Sequence, residues 1–200
     1  TANLEKLIHA VDYVSMHTYP MHNTHYHPEF WLVPTTENNL TESEKVEYAM
    51  LRAQKFAITQ YRDVKAYVHS LCPDKPVHIG ETGWATVSNG FYGKTGSRAT
   101  DEYKSERYYE LMREWTAKEH ISCFYFEAFD EQWKDATNPQ GSENHFGLIN
   151  LQGEAKYAIW NLVDQDRFRG LHRNGKAISK TYNGDKEKLL EEVMVPPVKL

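Results

Sequence analysis

Three β-rich runs punctuate the chain, and helical spacing follows each of them. Residues 11–19, ending His17-Thr18-Tyr19, are stopped by Pro20, which cannot donate to a strand ladder. Residues 75–81 begin at Lys75-Pro76 and run into Thr82-Gly83-Trp84. Residues 121–129 are the most apolar of the three and end at Asp130-Glu131. Between the first two runs, Thr41 and Glu44 have the spacing of a capping box, in which hydroxyl and carboxylate satisfy the free amides of a helix start reciprocally. Val46, Ala49, Met50, Ala53, Phe56 and Ala57 then recur on one helical face. A second helix is predicted over 101–118, with Tyr108, Leu111, Met112 and Trp115 inward, and a shorter third over 154–163.

This β-α-β-α-β-α order implies right-handed crossovers around a parallel sheet. The loops after the strands are long and carry His, Trp, Glu and Gly, whereas those before them are plain. Chemistry confined to the carboxyl ends of strands fits a (β/α) barrel. A full barrel needs eight such units and about 250 residues, and here about three are visible. The expected architecture is therefore α/β, the C-terminal portion of a (β/α)8 TIM barrel over residues 1–163. Residues 164–200, with a short charged helix near 185–192 and then Pro196-Pro197, read as a C-terminal extension.

Composition narrows the function classes. The 200 residues match about one domain, and 40% hydrophobic with 26% charged is ordinary for a globular protein. With mean hydropathy −0.71 and no apolar run near membrane-spanning length, no membrane span is expected. A net charge of −5 offers no cationic surface for nucleic acid. Cys72 and Cys123 are too few for a disulfide scaffold or a cysteine-rich zinc site. Aromatics reach 13%, which suits a sugar-binding cleft as well as a large core. The start, Thr1-Ala2-Asn3-Leu4, lacks an initiator Met and the basic and apolar stretches of a secretory signal. A mature or excised piece is expected.

Glu81 is the sharpest candidate. It ends an apolar strand before Thr82-Gly83-Trp84, so its carboxylate is expected at the barrel mouth beside an indole. A carboxylate held rigidly there is what a retaining glycosidase needs to attack an anomeric carbon, and an indole face can stack on a sugar ring. A surface charge or a helix-start carboxylate is the plainer alternative.

The segment His78-Ile79-Gly80-Glu81-Thr82-Gly83-Trp84-Ala85-Thr86 resembles the nucleophile segment of glycoside hydrolase family 17, the β-1,3-glucanases and related glucanosyltransferases. Three more segments resemble that family in the right order. Residues 11–20 look like its sixth strand, Phe126-Glu127-Ala128-Phe129-Asp130-Glu131-Gln132-Trp133-Lys134 like its eighth strand and following loop, and Glu143-Asn144-His145-Phe146-Gly147-Leu148 like the element after it. The likeness covers residues 8–163 and implies that the visible units are strands six to eight.

By that resemblance Glu81 is the catalytic nucleophile. Tyr19, at the end of the neighbouring strand, is placed to hydrogen-bond Glu81, which would favour the ionised carboxylate and position it. His17, Trp84, Glu127, Glu131, Trp133 and Lys134 are candidate substrate-binding residues. Glu131 and Lys134 fit an FDE-x-x-K pattern, Glu127 is expected inward and paired, and Trp84 and Trp133 are candidate stacking platforms. A structural Glu–Lys pair and core indoles are the alternatives. His17, His22, His25 and His27 crowd one loop, yet without Cys partners or a His-Glu-x-x-His helix no metal is expected. With Tyr26, Phe30 and Trp31 that loop is expected to wall the sugar cleft, and no cofactor is implied.

One part is missing. The family's acid/base glutamate follows an Asn at the end of the fourth strand, and no Asn-Glu ends an apolar strand here. The expected partner is therefore an N-terminal barrel half from the same parent chain, alongside a laminarin-like β-1,3-glucan substrate. The expectation is a retaining glycoside hydrolase, secreted or periplasmic by family. A β-1,3-glucanosyltransferase and a non-catalytic glucan-binding module are the alternatives.

Overall fold

A computed structural model describes residues 2–199. Helix α1 (Ala2–Ala10) leads through a turn into strand β1 (Val14–Thr18), then helix α2 (Pro20–Tyr26) and the long helix α3 (Glu42–Leu71). Strand β2 (Val77–Thr82), helix α4 (Glu102–Lys118) and strand β3 (Cys123–Tyr125) follow. The remainder holds strand β4 (Glu154–Ala155), helix α5 (Trp160–Asp164), strands β5 (His172–Arg173), β6 (Lys176–Ala177) and β7 (Ser179–Lys180), and helix α6 (Lys186–Glu191).

Strands β1, β2 and β3 form one parallel sheet in that order. The capping box starts α3 as its spacing predicts: Glu44 N–H donates to Thr41 Oγ1, and Thr41 N–H donates to the Glu44 carboxylate. Val46, Ala49, Met50, Ala53, Ala57, Tyr61 and Val68 of α3 are buried, as are Tyr108, Leu111, Met112 and Trp115 of α4. They cover Met16, Val77 and Ile79 on one face of the sheet in a single core. On the opposite face Ser15 and His17 are exposed, and Phe124 is 67% exposed. The result is a two-layer α/β body with one sheet face open.

Several boundaries differ from the pattern. The first strand starts at Val14 because α1, which the hydrophobic spacing does not announce, hands over through a Val11 N–H to Leu7 O bond. The third strand stops at Tyr125. Beyond it the chain pairs with its own returning segment, Leu148 N–H donating to Glu127 O and Ile149 N–H to Ala128 O. The helix expected over 154–163 is instead a short strand, a 3-10 turn over Tyr157–Ile159 and the brief α5. Two interactions displace it: β4 pairs with β7, and the Lys156 side chain turns inward to Asp130.

The tail folds back on this body. Leu189 is buried, Thr181 Oγ1 donates to Glu102, and residues around Val198 pair with Val33. The β5–β6 hairpin turns at Asn174-Gly175, both at positive φ, the backbone that a tight two-residue hairpin turn needs.

Candidate active site

The carboxyl ends of β1, β2 and β3 lie side by side, and a register defect aims the central carboxylate. Along β2, Val77 and Ile79 face the helices, so strict alternation would send Glu81 to the same buried face. Pairing with β1 skips a residue instead: Met16 pairs with Ile79 and His17 with Glu81, leaving Gly80 as the extra residue. That bulge flips the phase, so Glu81 turns to the open face and Thr82 becomes buried. A Cβ at Gly80 would sit 2.0 Å from Ser15 Oγ, so a larger residue there would force the serine hydroxyl to turn away.

Thr82 then fastens the strand end, its hydroxyl donating to Thr18 O at 2.8 Å and lying 2.7 Å from Tyr108 Oη. At Gly83 a Cβ would lie 2.1 Å from Phe126 O, so only glycine lets β2 and β3 approach this closely.

Around Glu81, the Tyr19 hydroxyl donates to Oε2 at 3.0 Å and His17 Nδ1 lies 3.2 Å from the same oxygen. Among the described residues Oε1 has no hydrogen-bond partner. Burial, followed by the Glu81 carboxylate, raises Tyr19 well above the ordinary phenol range, so it stays protonated and donates. Next to this group Lys134 Nζ donates to both Glu127 oxygens at 3.0 and 2.9 Å and lies 3.5 Å from Glu131. It also sits 3.7 Å from the centre of the Phe126 ring. Burial raises the Glu127 carboxyl, against the lowering effect of Lys134. Trp133 is 71% exposed on the same loop.

Trp84 does not reach this surface, contrary to expectation. It is fully buried, its indole N–H donates to Ala99 O at 2.8 Å, and its ring packs between Trp31 and Tyr108. No face is left for a sugar. The His-rich loop is corrected likewise: Trp31 is fully buried with its indole N–H on Ser97 O, and Phe30 stacks on Phe56 of α3. The histidines diverge. His17 goes to Glu81, His22 lies between Tyr19 and Tyr92, and His25 stacks on Phe91 at 4.1 Å. Among the described residues no three His, Cys, Asp or Glu side chains converge as metal ligands would.

Three further contacts support the site through residues to which the sequence reading assigns no role there. Lys156, fully buried, donates to Asp130 Oδ1 at 2.7 Å, Thr86 Oγ1 at 2.8 Å and His145 O at 3.1 Å, and Gly147 N–H donates to the same Asp130 oxygen. Burial lowers the Lys156 ammonium and Asp130 counters it. Asn144 staples the loop after β3, accepting from Asp135 N–H and donating to Asp135 O and Asn138 O. His22 Nε2 lies 3.4 Å from Glu143 Oε1, a contact that lowers the Glu143 carboxyl. Asp130 and Lys156 lie 26 residues apart, and His22 and Glu143 farther still, so no local spacing marks these pairs.

No family model matches the chain. Over its whole length, however, it is 56% identical to an endo-laminarinase from Formosa Hel1_33_131 whose crystal structure superposes with a TM-score of 0.97. The resemblance to glycoside hydrolase family 17 drawn from the sequence is supported by this likeness. A glucan 1,3-beta-glucosidase of Arthroderma benhamiae is 32% identical over 87 residues, 40% of this chain. An active-site mutant of a Rhizomucor miehei beta-1,3-glucanosyltransferase, solved with laminaritriose, shares the fold at TM-score 0.51 and 20% identity over 77% of this chain. The chain spans 51% of the endo-laminarinase, 44% of the glucanosyltransferase and 27% of the glucosidase.

Proposed function

We propose that this chain is the C-terminal portion of a (β/α)8 barrel that hydrolyses β-1,3-glucan with retention, and that Glu81 is its nucleophile. The observation that carries the reading is the Glu81 carboxylate on the open face, with Tyr19 and His17 both addressing Oε2. Oε1 is left to attack. It forms a bond to the anomeric carbon while the glycosidic C–O bond breaks, giving a glycosyl ester. Water then attacks the anomeric carbon from the face that the leaving group vacated, breaking its bond to Oε1, so that two inversions give net retention.

The leaving oxygen must be protonated by a second carboxyl about 5–5.5 Å from the first. Glu127 is a poor candidate because Lys134 holds both of its oxygens. We assign the acid/base to an N-terminal half of the barrel in the same parent polypeptide, packed on the face that exposes Ser15, His17 and Phe124. That protein would work outside the cytoplasm, where laminarin-like glucans are met. Lys134, Glu127, Glu131 and Trp133 would line the cleft, with Trp133 offering an indole face to a glucosyl ring.

The reading is tested on the full-length natural polypeptide with laminarin. Glu81→Gln should lower kcat at least about a thousandfold with near-normal glucan binding, and the first product seen by NMR should be the β-anomer. Retained activity in that variant, or initial α-anomer, would overturn it. Products longer than the substrate would identify a glucanosyltransferase.

A further inference from the structure

We propose that His22 is a positioning residue for the Glu81 nucleophile, acting through Tyr19 and anchored by Glu143; the inference rests on the function proposed above. Tyr19 is held by edges and one face. Phe126 and Phe146 meet its ring edge-on at 6.3 and 5.6 Å, and the imidazole of His22 stacks on it at 5.5 Å and 19°. The backbone reinforces the stack, His22 N–H donating to Tyr19 O at 3.0 Å. The other face of His22 lies against Tyr92 at 5.4 Å, and Phe146 closes its edge at 5.8 Å.

A hydrocarbon ring would fill this slot without burying polar nitrogen. The imidazole instead buries Nε2, which has no well-aligned hydrogen bond but lies 3.4 Å from Glu143 Oε1. The titratable groups facing it are Glu143, Tyr19 and Tyr92. Glu143, His22, Tyr19 and Glu81 thus form a continuous line, and the loops after β1, β2 and β3 each supply part of it through His22, Tyr92 and Glu143. Without the His22 face, the Tyr19 ring can tilt between its two edge contacts and carry its hydroxyl off Glu81 Oε2. Misplacement of about an ångström costs up to about a hundredfold in rate.

The test is a double-mutant cycle in the full-length natural polypeptide on laminarin, with melting temperatures recorded throughout. His22→Ala should lower kcat about tenfold to a hundredfold and change KM less than about twofold. In a Tyr19→Phe background it should cost nothing further, because the hydroxyl that it positions is gone. Should His22→Ala fail to fold, His22→Phe keeps the stack and isolates the anchor: Glu143→Gln should slow the wild type and leave His22→Phe unaffected. Wild-type kcat in His22→Ala, or losses that multiply in full with Tyr19→Phe, would overturn the inference alone. Wild-type rates in both Glu81→Gln and Tyr19→Phe would overturn the glucanase reading and this inference with it.

Discussion

Tyr19 earns its place by one atom. Its hydroxyl reaches Glu81 Oε2 at 3.0 Å, and burial keeps it protonated. Tyr19→Phe should therefore lower kcat about a hundredfold and leave the melting temperature nearly unchanged. A matching loss of both would reassign the residue to the fold. Lys156 is the opposite case. Lys156→Met strands the buried Asp130 carboxylate and should destabilise the protein by about 3–5 kcal/mol in denaturant unfolding; a loss near zero would mean that the pair is not the loop's anchor. At this scale the sequence exposes Glu81, Tyr19 and Lys134, whose neighbours along the chain form motifs. It assigns no role to His22 or Lys156, whose partners Glu143 and Asp130 lie far along the chain, nor to Asn144, whose bonds to Asp135 and Asn138 follow from how its own loop folds. It misdirects at Trp84 and Trp31, since residue type says that an indole wants cover but not whether core or sugar provides it.

The Gly80 bulge decides the site at the level of elements, because it inverts the side-chain phase of β2 one residue before Glu81. Gly80→Ala drives a Cβ toward Ser15 Oγ. It should lower activity more than stability, and Ser15→Ala should restore part of the activity; equal losses with no rescue would count against the bulge as the aiming device. Such a defect is invisible to a period-two reading, which nevertheless locates the strand. The helices were more legible, since the capping box and one-face spacing of α3 are purely local. The 154–163 segment was not, because β7 and Asp130 lie far along the chain.

Helix α4 carries a pH signature of its own. Burial, with the Glu110 carboxylate beside it, raises Glu106 from 4.5 to about 7. The folded state therefore binds a proton that the unfolded chain has released, and stability should fall as pH rises from about 4.5 through about 7. Thermal melts of Glu106→Gln should show a flatter profile across that window, and an unchanged slope would contradict the assignment.

As a whole, the molecule has a well-packed helix side and an open sheet side. Met16, Val77 and Ile79 are covered by α3 and α4, while Phe124 and Tyr13, at 67% and 56% exposure, lie open to solvent. An upstream barrel half packed there would cover those aromatics and bring the second carboxyl to Glu81. The order of strands and helices was enough to anticipate an α/β body with three parallel strands; the tail's return to Val33 and Glu102 was not legible, since nothing periodic marks it. Isolated residues 1–200 should bind a hydrophobic dye and lack hydrolysis, both reversed when the upstream half is supplied. The most direct measurement is trapping: full-length polypeptide treated with a 2-deoxy-2-fluoro laminaribiosyl fluoride, digested, and mapped by mass spectrometry. The account predicts one added 2-deoxy-2-fluoro-laminaribiosyl group on the peptide containing Glu81, slowly released by water. A label on another carboxylate, or none during active turnover, would contradict it.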